Sequence, residues 1–421
     1  MLCTADLKAR AREVGFVAVG IAHAEADSAA RFVFHERIDL GMYDGLPWFT
    51  RERADRATQP ERALDGAASI ITLAAPYKTE YAPEEPVDGL RGRVARYAWG
   101  RDYHRVLEKR LRVLAAFIEQ RCEERCRTRS RGMVDYGPLA ERAYAARAGI
   151  GWFGKNTNLL LPGVGSWVLL AELLTTVPLE PDPPLAKSCG GCTRCVAACP
   201  TGAISGPYVV DNRRCISFQT IENRGWIPRE LRPLLGDWVF GCDLCQDVCP
   251  VGAGREGVSL PEFAPATLGA ALPELTALLM LSEDEFRTRF QGRAIMRAKR
   301  AGMARNACVA LGNLGDSAAV PALTRTLSCD PAAIVCGHAA WALGRIGGTA
   351  ARTALTQARD SERDAAVLDE IEVALAGEAG PADRRGVLPA PLPWLGGPWR
   401  RDTRLLGEDR PGATFHPSDS R

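Results

Sequence analysis

The chain has 421 residues, of which 46% are hydrophobic and 25% charged, and its formal net charge is +2. These values indicate a globular protein of two or three domains, and they exclude a polycation and a small disulfide-rich secreted domain. The N-terminus has no apolar signal core and no twin arginine, and no later run is long enough to cross a bilayer. We therefore expect a cytoplasmic protein with no membrane partner.

The first 180 residues combine strand and helix patterns. SIITLAAP at Ser69–Pro76 is a β-branched, apolar run typical of a buried strand, and SWVLLAELLTT after Gly165 is similar. Between them, RDYHRVLEKRLRVLAAFIEQRCEE has apolar residues at helical spacing. The mixture predicts an α+β domain over residues 1–180, and the absence of GxGxxG and GxxxxGK[ST] motifs argues against a nucleotide site.

A glycine-rich segment, GMVDYGPLAERAYAARAGIGWFGKNTNLLLPGVGSW, ends this domain. Its glycines allow the backbone to approach a bulky ligand, and the polar residues from Lys155 to Asn158 stand among aromatic and apolar ones. Asp135 precedes a Gly-Pro turn and a helix pattern, so a helix cap is its ordinary interpretation. Lys155 is ordinarily a solvated charge. The segment is nevertheless the best candidate for a binding site.

Eight of the 14 cysteines lie between Cys189 and Cys249. CGGCTRCVAACP has the C-x2-C-x2-C-x3-C-P spacing of bacterial ferredoxins, in which three thiolates hold one cluster and the fourth ligates a second. GCDLCQDVCP supplies the partner half, and DNRRC supplies the remaining ligand. The crossed assignment predicts two [4Fe-4S] clusters in a ferredoxin-like domain over residues 181–260, one held by Cys189, Cys192, Cys195 and Cys249, and the other by Cys199, Cys215, Cys242 and Cys245.

Structural zinc is the alternative, because paired C-x2-C units also form tetrahedral thiolate sites. Zinc knuckles do not need a third cysteine at two-residue spacing or a proline after each run, so the pattern favours clusters. Two clusters form a path for electrons. We therefore expect an external low-potential electron donor and an acceptor within this chain.

The last third of the chain contains a repeat. RNACVALGNLGDSAAVPALTRTL and GHAAWALGRIGGTAARTALTQAR share Ala-Leu-Gly, beginning at Ala310 and at Ala342, an offset of 32 residues. This period predicts an all-α HEAT-like repeat domain over residues 261–376. The remaining residues, 377–421, are rich in Pro, Gly and Arg without periodicity, which predicts a disordered tail.

A basic run precedes the repeat, with seven Lys or Arg residues and no acidic one from Arg287 to Arg305. Such a run is ordinarily a solvated face. Its place beside a redox site and a repeat surface favours contacts with phosphate groups. The residues that we interpret in this way are Arg297, Lys299, Arg300 and Arg305.

Several of these motifs together resemble the epoxyqueuosine reductases. VDYGPLAERAYAARAGIGWFGKNTNLL, CGGCTRCVAACPTGAI, DNRRCISFQTIENRG and LGDWVFGCDLCQDVCP have that family's order and spacing. The likeness continues through GHAAWALGRIG and covers roughly residues 1–375. It implies an α+β cobalamin-binding domain, a ferredoxin-like two-cluster domain and a C-terminal all-α HEAT-like repeat domain.

The resemblance also implies an activity and partners. Members of the family reduce epoxyqueuosine to queuosine at the wobble position of a tRNA, the final step of queuosine biosynthesis. The expected partner is thus a tRNA carrying epoxyqueuosine in its anticodon, and we expect the protein to be a monomer.

Site residues follow from the resemblance position by position. Asp135 matches the family's proton-donor aspartate, and Arg56 in RATQP is the best match to an arginine that contacts the corrin side chains. The other residues implied to line the base-off cobalamin pocket are Lys155, Asn158, Ser217, Gln219 and Asp243.

The implied chemistry agrees with these parts. Removing an epoxide oxygen as water takes two electrons and two protons, and low-valent cobalt fed by the clusters can supply the electrons. We expect burial beside the corrin to raise the pKa of Asp135, so that it can donate a proton at neutral pH.

Two other functions remain open. A reductive dehalogenase also joins cobalamin to two [4Fe-4S] clusters, but typical examples carry a twin-arginine export signal and have no appended repeats. A ferredoxin-type electron carrier would need neither the GWFGKNTN segment nor Asp135.

Overall fold

The computed structural model describes residues 3–79, 89–122, 128–252 and 259–377, so the predicted tail lies outside the described residues apart from Gly377. The strands are β1 (Ala18–His23), β2 (Ser69–Pro76), β3 (Arg93–Val94), β4 (Ser130–Met133), β5 (Trp152–Phe153), β6 (Leu159–Leu160), β7 (Val168–Thr175), β8 (Ile204–Gly206), β9 (Val209–Val210) and β10 (Trp238–Phe240).

The α-helices are α1 (Thr4–Glu13), α2 (Ser28–Asp39), α3 (Arg51–Ala57), α4 (Tyr103–Arg121), α5 (Glu141–Arg147), α6 (Arg194–Ala197), α7 (Leu244–Asp247), α8 (Leu268–Ala271), α9 (Leu275–Leu279), α10 (Glu283–Phe290), α11 (Lys299–Leu314), α12 (Val320–Cys329), α13 (Ala333–Ile346), α14 (Gly348–Ser361) and α15 (Ala365–Ala376). In the described part of the chain, none is long and apolar enough to span a membrane.

An antiparallel sheet in the order β1-β2-β7-β4 organises the N-terminal part. Every residue of β2 is buried, because this central strand is covered on both faces. Leu107 and Leu111 of α4 pack on one face, and Tyr144 of α5 packs on the other. The two strands and the long helix expected from the sequence are confirmed, as is the α+β class.

The cysteine-rich part has little regular structure beyond α6 and α7, which contact each other. Its β10 pairs in parallel with β3, so backbone hydrogen bonds join it to the N-terminal part. Because this pairing crosses the expected border, the domain boundaries near residues 180 and 260 stay predictions.

Helices α11 to α15 form the C-terminal all-α part, with α13 packed against α11, α12, α14 and α15. The Ala-Leu-Gly motif lies where α11 and α13 meet. A Cβ on Gly312 would lie 2.7 Å from Trp341 Cζ3 and 3.0 Å from Ala342 Cα, so only glycine allows this close approach. The repeat expectation is confirmed, and its small residues bring the helices together.

Candidate active site

The loop between β4 and α5 carries Asp135. Asp135 has a positive φ of 55°, and its backbone N–H donates a hydrogen bond to the Glu141 carboxylate at the start of α5. The N-cap of α5 is Ala140, so the helix-cap interpretation of Asp135 is wrong. The left-handed turn instead directs the Asp135 side chain toward the first turn of α4.

Asp135 meets two side chains of α4. The Tyr103 hydroxyl donates to Asp135 Oδ2 over 2.5 Å, and His104 Nε2 lies 3.5 Å from the same oxygen. His104 Nδ1 is 2.7 Å from Asp102 Oδ1, so the imidazole lies between two carboxylates. We refer to Asp102, Tyr103, His104 and Asp135 as the acid group.

Charges within the acid group decide where its proton resides. Burial would lower the pKa of His104, but hydrogen bonds to Asp102 and Asp135 outweigh it and raise the pKa to about 9. Burial by the surrounding protein would raise the pKa of Asp135. Because 62% of the side chain is open to solvent, the hydrogen bonds with His104 and Tyr103 outweigh this effect and lower the pKa. At neutral pH the proton therefore resides on His104, and Asp135 is ionised. This differs from the expectation that burial raises the pKa of Asp135.

A cavity of about 250 Å³ lies beside the acid group. Its polar lining includes Asn158, Ser166 and Gln246, and the Tyr77 hydroxyl and Ser166 hydroxyl each donate to Gln246 Oε1 over 3.0 Å. Tyr103 both lines the cavity and bonds Asp135. The remaining lining residues are Tyr97, Arg142, Leu159, Val168, Leu169 and Leu170.

In the described part of the chain, one of the expected cobalamin contacts is among the residues that line this cavity. Asn158 lines it, whereas Arg56 is exposed on α3 and the Lys155 ammonium donates to the Gly190 carbonyl over 2.6 Å. Buried Gln219 donates to the Arg213 carbonyl.

Two further expected contacts lie near the cysteines. Asp243 is buried and accepts hydrogen bonds from the backbone and guanidinium of Arg96, while burial raises its pKa to about 6. The Ser217 hydroxyl interacts with the thiol of Cys215. The structure thus brings Asn158 and Asp135 to one place and leaves the hydrogen bonds of Gln219 and Asp243 already occupied.

The cysteines gather as two groups of neighbouring thiols. Cys249 interacts electrostatically with Cys189 and Cys192, and Cys195 interacts with Cys189 and Cys249. Burial raises the pKa of each of these two thiols.

The second group surrounds Cys215 and Cys245. Cys245 interacts with both Cys215 and Cys199, and Cys242 interacts with Cys215 and Cys245. Burial, the main cause, raises the pKa of Cys215 as well. None of the described cysteines forms a disulfide.

The basic run divides into exposed and interior residues. Arg297 and Lys299 are exposed, although Arg297 forms an ion pair of 2.7 Å with Glu222. Arg300 is buried and paired with Asp330 at 2.6 Å. Arg305 is 1% exposed and donates to the carbonyls of residues 219, 223 and 225. Arg300 and Arg305 therefore differ from the expectation of phosphate contacts, because packing of α11 places them in the interior.

Some residues of this site were not found from the sequence. The helical pattern that contains Tyr103 and His104 gave them no role, although a Tyr-His pair directly after the helix-capping Asp102 is a usable signal. Glu172 stands alone in the apolar run LLAELLTT, and a single acid in a buried strand is a signal of the same kind.

Three family models match successive parts of the chain. Their descriptions are Epoxyqueuosine reductase QueG, DUF1730 at residues 57–135, 4Fe-4S double cluster binding domain at residues 188–252, and HEAT repeats at residues 293–376. The second match confirms two [4Fe-4S] clusters, so the zinc interpretation is wrong.

Curated relatives cover most of the chain. The epoxyqueuosine reductase of Gloeobacter violaceus is 42% identical over 321 residues, which is 75% of this chain and 98% of that protein. The epoxyqueuosine reductase of Bacillus subtilis is 37% identical over 333 residues, 79% of this chain and 84% of that protein.

Solved structures of epoxyqueuosine reductases have a similar fold. An epoxyqueuosine reductase bound to an epoxyqueuosine-modified tRNA-Tyr stem loop has a TM-score of 0.82 and 35% identity, covering 89% of this chain and 98% of that one. A Bacillus subtilis epoxyqueuosine reductase solved with its catalytic aspartate loop swung out of the active site gives the same values.

The fold, the cysteine groups and the comparisons together identify an oxidoreductase with two [4Fe-4S] clusters and appended HEAT repeats. The chain belongs to the epoxyqueuosine reductase family.

Proposed function

We propose that this protein reduces epoxyqueuosine to queuosine at the wobble position of a tRNA. The observation that carries the proposal is the acid group, which lies beside a cavity lined both by its Tyr103 and by Gln246 of the cysteine-rich part. An electron source and a proton source thus converge on one space. The relatives with this name, one of them solved with a modified tRNA stem loop, support the same substrate.

The cysteine groups fit two clusters. Cys189, Cys192, Cys195 and Cys249 would hold one, and Cys199, Cys215, Cys242 and Cys245 would hold the other, as the neighbouring thiols support. Cys195 also interacts with Cys245 of the other group, so the two clusters would lie close enough for electron transfer between them.

The cavity walls fit part of a corrin ring and its amide side chains. Tyrosine rings and leucines provide apolar surface, and Asn158, Ser166 and Gln246 provide hydrogen-bonding groups. We assign these three to cobalamin, together with the expected contacts Arg56, Lys155 and Ser217 at its edge, while Gln219 and Asp243 would support the pocket from behind. Cobalamin held there would supply the low-valent cobalt chemistry that a two-electron reduction of an epoxide needs.

The acid group supplies protons. Opening the epoxide and releasing its oxygen as water consumes two electrons and two protons, and the product is an alkene. His104, which is protonated at neutral pH, would pass its proton through the solvent-exposed Asp135 carboxylate to the leaving oxygen and then be reprotonated from solvent. Tyr103 orients the carboxylate through its hydrogen bond.

The tRNA would lie across the exposed basic residues. Arg297 and Lys299 are solvent-exposed and belong to the run that precedes the HEAT repeats, so we assign them to backbone phosphates. An external low-potential electron donor and a monomeric state complete the proposal.

One anaerobic assay tests this function. The reconstituted protein, reduced by an artificial low-potential donor, is incubated with tRNA containing epoxyqueuosine, and the nucleosides are analysed after digestion. Conversion to queuosine with retained cobalamin is expected. A protein that binds no cobalamin and converts nothing would be an electron carrier, and one that dechlorinates organic halides while leaving the tRNA unchanged would be a dehalogenase; either outcome overturns the proposal.

A further inference from the structure

A buried glutamate lies behind the Asp135 loop. Glu172 in β7 is 0% exposed, and its cross-strand neighbours are Thr72 and Met133. Among the described residues no N–H or hydroxyl group donates to either of its carboxyl oxygens, and the polar side chain beside it is the carboxyl of Glu141. A buried polar group without a partner costs about 1–3 kcal/mol, so a retained one calls for a reason beyond packing.

Strand alternation directs Glu172 toward α5. Leu174, two residues further along β7, packs on the same face with Tyr144 of α5. The ionisable group that acts most strongly on Glu172 is Glu141, the first residue of that helix. Asp135 is the next charge that acts on it.

Glu141 in turn holds the Asp135 loop. Its carboxylate accepts the backbone N–H of Asp135, the residue in the left-handed conformation. The other groups that act on Glu141 are the Asp135 carboxylate, which opposes its ionisation, and Arg142, which favours it. The loop is otherwise held on its exposed side by Arg53, which donates to the Tyr136 and Gly137 carbonyls.

We propose that Glu172 and Glu141 form a carboxyl pair that positions the Asp135 loop, so that Asp135 stays in contact with Tyr103 and His104. Both are positioning residues for the reaction proposed above, and the inference rests on that function for its kinetic consequence. The neutral Glu172 donates its carboxyl proton toward Glu141. Above its pKa of about 7, Glu141 is ionised and accepts from two donors, Glu172 and the Asp135 N–H.

Physical chemistry gives the two glutamates these different roles. Two adjacent carboxyls in the interior do not both ionise, and the more deeply buried one keeps its proton. Burial and the Glu141 charge raise the pKa of Glu172 well above its usual value, and burial followed by the Asp135 charge raises the pKa of Glu141 to about 7. Hydrogen bonds to an ionised acceptor are the stronger ones, so the pair strengthens the hold on Asp135.

The test compares two replacements of Glu172 in the cofactor-loaded protein. Glu172→Gln keeps the shape and a neutral donor, whereas Glu172→Leu removes the donor. We expect Glu172→Gln to retain kcat within about threefold, and Glu172→Leu to lower kcat roughly 10- to 100-fold through loss of alignment, with an unchanged KM for tRNA and unchanged iron content.

Hydrogen exchange of the peptide covering residues 133–138 measures the loop directly and needs no turnover. Exchange should be faster than wild type in Glu172→Leu and in Glu141→Ala, and close to wild type in Glu172→Gln. Thr72→Val, at the cross-strand neighbour, is the matched control and should change neither exchange nor kcat.

Wild-type exchange and kcat in Glu172→Leu would overturn the proposal, and so would equal losses of kcat in the Gln and Leu variants. A wild-type protein inactive on modified tRNA would instead count against the proposed function, and the exchange result would still decide whether the pair holds the loop.

Discussion

At the scale of single residues, Asp135 is the group whose loss should affect turnover most. Asp135→Asn keeps the side-chain shape and an oxygen that can accept from Tyr103, but an amide cannot take a proton from His104 and pass it on. We expect turnover of modified tRNA to fall roughly 10²- to 10⁴-fold, with bound cobalamin unchanged in amount and spectrum.

Single-turnover assays and the cobalamin absorption spectrum check this outcome. Asp65→Asn, the same change at an exposed position paired with Arg129, is the control and should leave turnover unaltered. Activity of Asp135→Asn within a few-fold of wild type would remove Asp135 from the mechanism.

His104 makes the reaction sensitive to alkaline pH. Its pKa is raised from 6.5 to about 9, so the protonated form and its stabilising contacts are fully present below pH 6.5 and are lost as the pH rises through about 9. We expect kcat/KM to decline over that range because the proton donor of the acid group disappears. Profiles of kcat/KM against pH for wild type and His104→Asn measure this. An alkaline limb that survives in His104→Asn would assign the titration to another group.

At the scale of elements, the spacing of the cysteines around the two short helices α6 and α7 determines which cysteines lie together. Each contains one cysteine, Cys195 in α6 and Cys245 in α7, and the two helices contact each other, so the last cysteine of one run lies beside the first cysteines of the other. Cys199 ends the first run, yet it interacts with Cys245 of the second.

Replacing Cys199 therefore tests the crossed arrangement. In Cys199→Ala we expect the cluster of Cys215, Cys242 and Cys245 to be lost or damaged, so that about four of about eight irons remain per chain. Iron analysis and electron paramagnetic resonance under anaerobic conditions measure this. Cys329→Ser, at an exposed cysteine outside both groups, should keep both clusters. Loss of the cluster that Cys189 holds would contradict the assignment.

At the scale of the whole molecule, the basic run contains interior arginines that join parts of the protein and exposed residues that face solvent. Arg305 lies between α11 and the segment from residue 219 to 225, where its guanidinium satisfies three carbonyls. The buried ion pair of Arg232 with Glu370 joins the cysteine-rich part to α15 in a similar way. These arginines stabilise the contact between parts of the protein, and only the exposed members of the run are available to a ligand.

The exposed members should act on tRNA affinity. Replacing Arg297 and Lys299 with alanine should weaken tRNA binding for every tRNA sequence and lower the slope of log K against log salt by about one unit for each phosphate contact. Binding titrations at several salt concentrations measure it. Arg12→Ala, at an exposed arginine of α1, is the control for loss of a positive charge away from the basic run. An unchanged slope in the double variant would mean that these two residues make no phosphate contact.

Arg305→Ala should behave differently. Removing the guanidinium leaves buried carbonyls unpaired, so we expect a lower melting temperature. The salt slope should stay as in wild type. A lowered salt slope with an unchanged melting temperature would instead mean that Arg305 contacts RNA phosphates.

Local features of this protein could be read from its sequence. The cysteine spacing, the buried strands β2 and β7, the helix α4 and the Ala-Leu-Gly repeat each depend on residues close together in the chain. Periodicity and loop length therefore determined them, whatever the surrounding fold.

The tertiary structure decided the features that depend on distant partners. His104 and Tyr103 of α4 meet Asp135 only because α4 packs beside β4, and this contact places the proton on His104. Glu172 reaches Glu141 only across the sheet and α5. A pKa, the burial of an arginine and the partner of a buried acid are set by packing between segments far apart in sequence, and no local pattern contains that information.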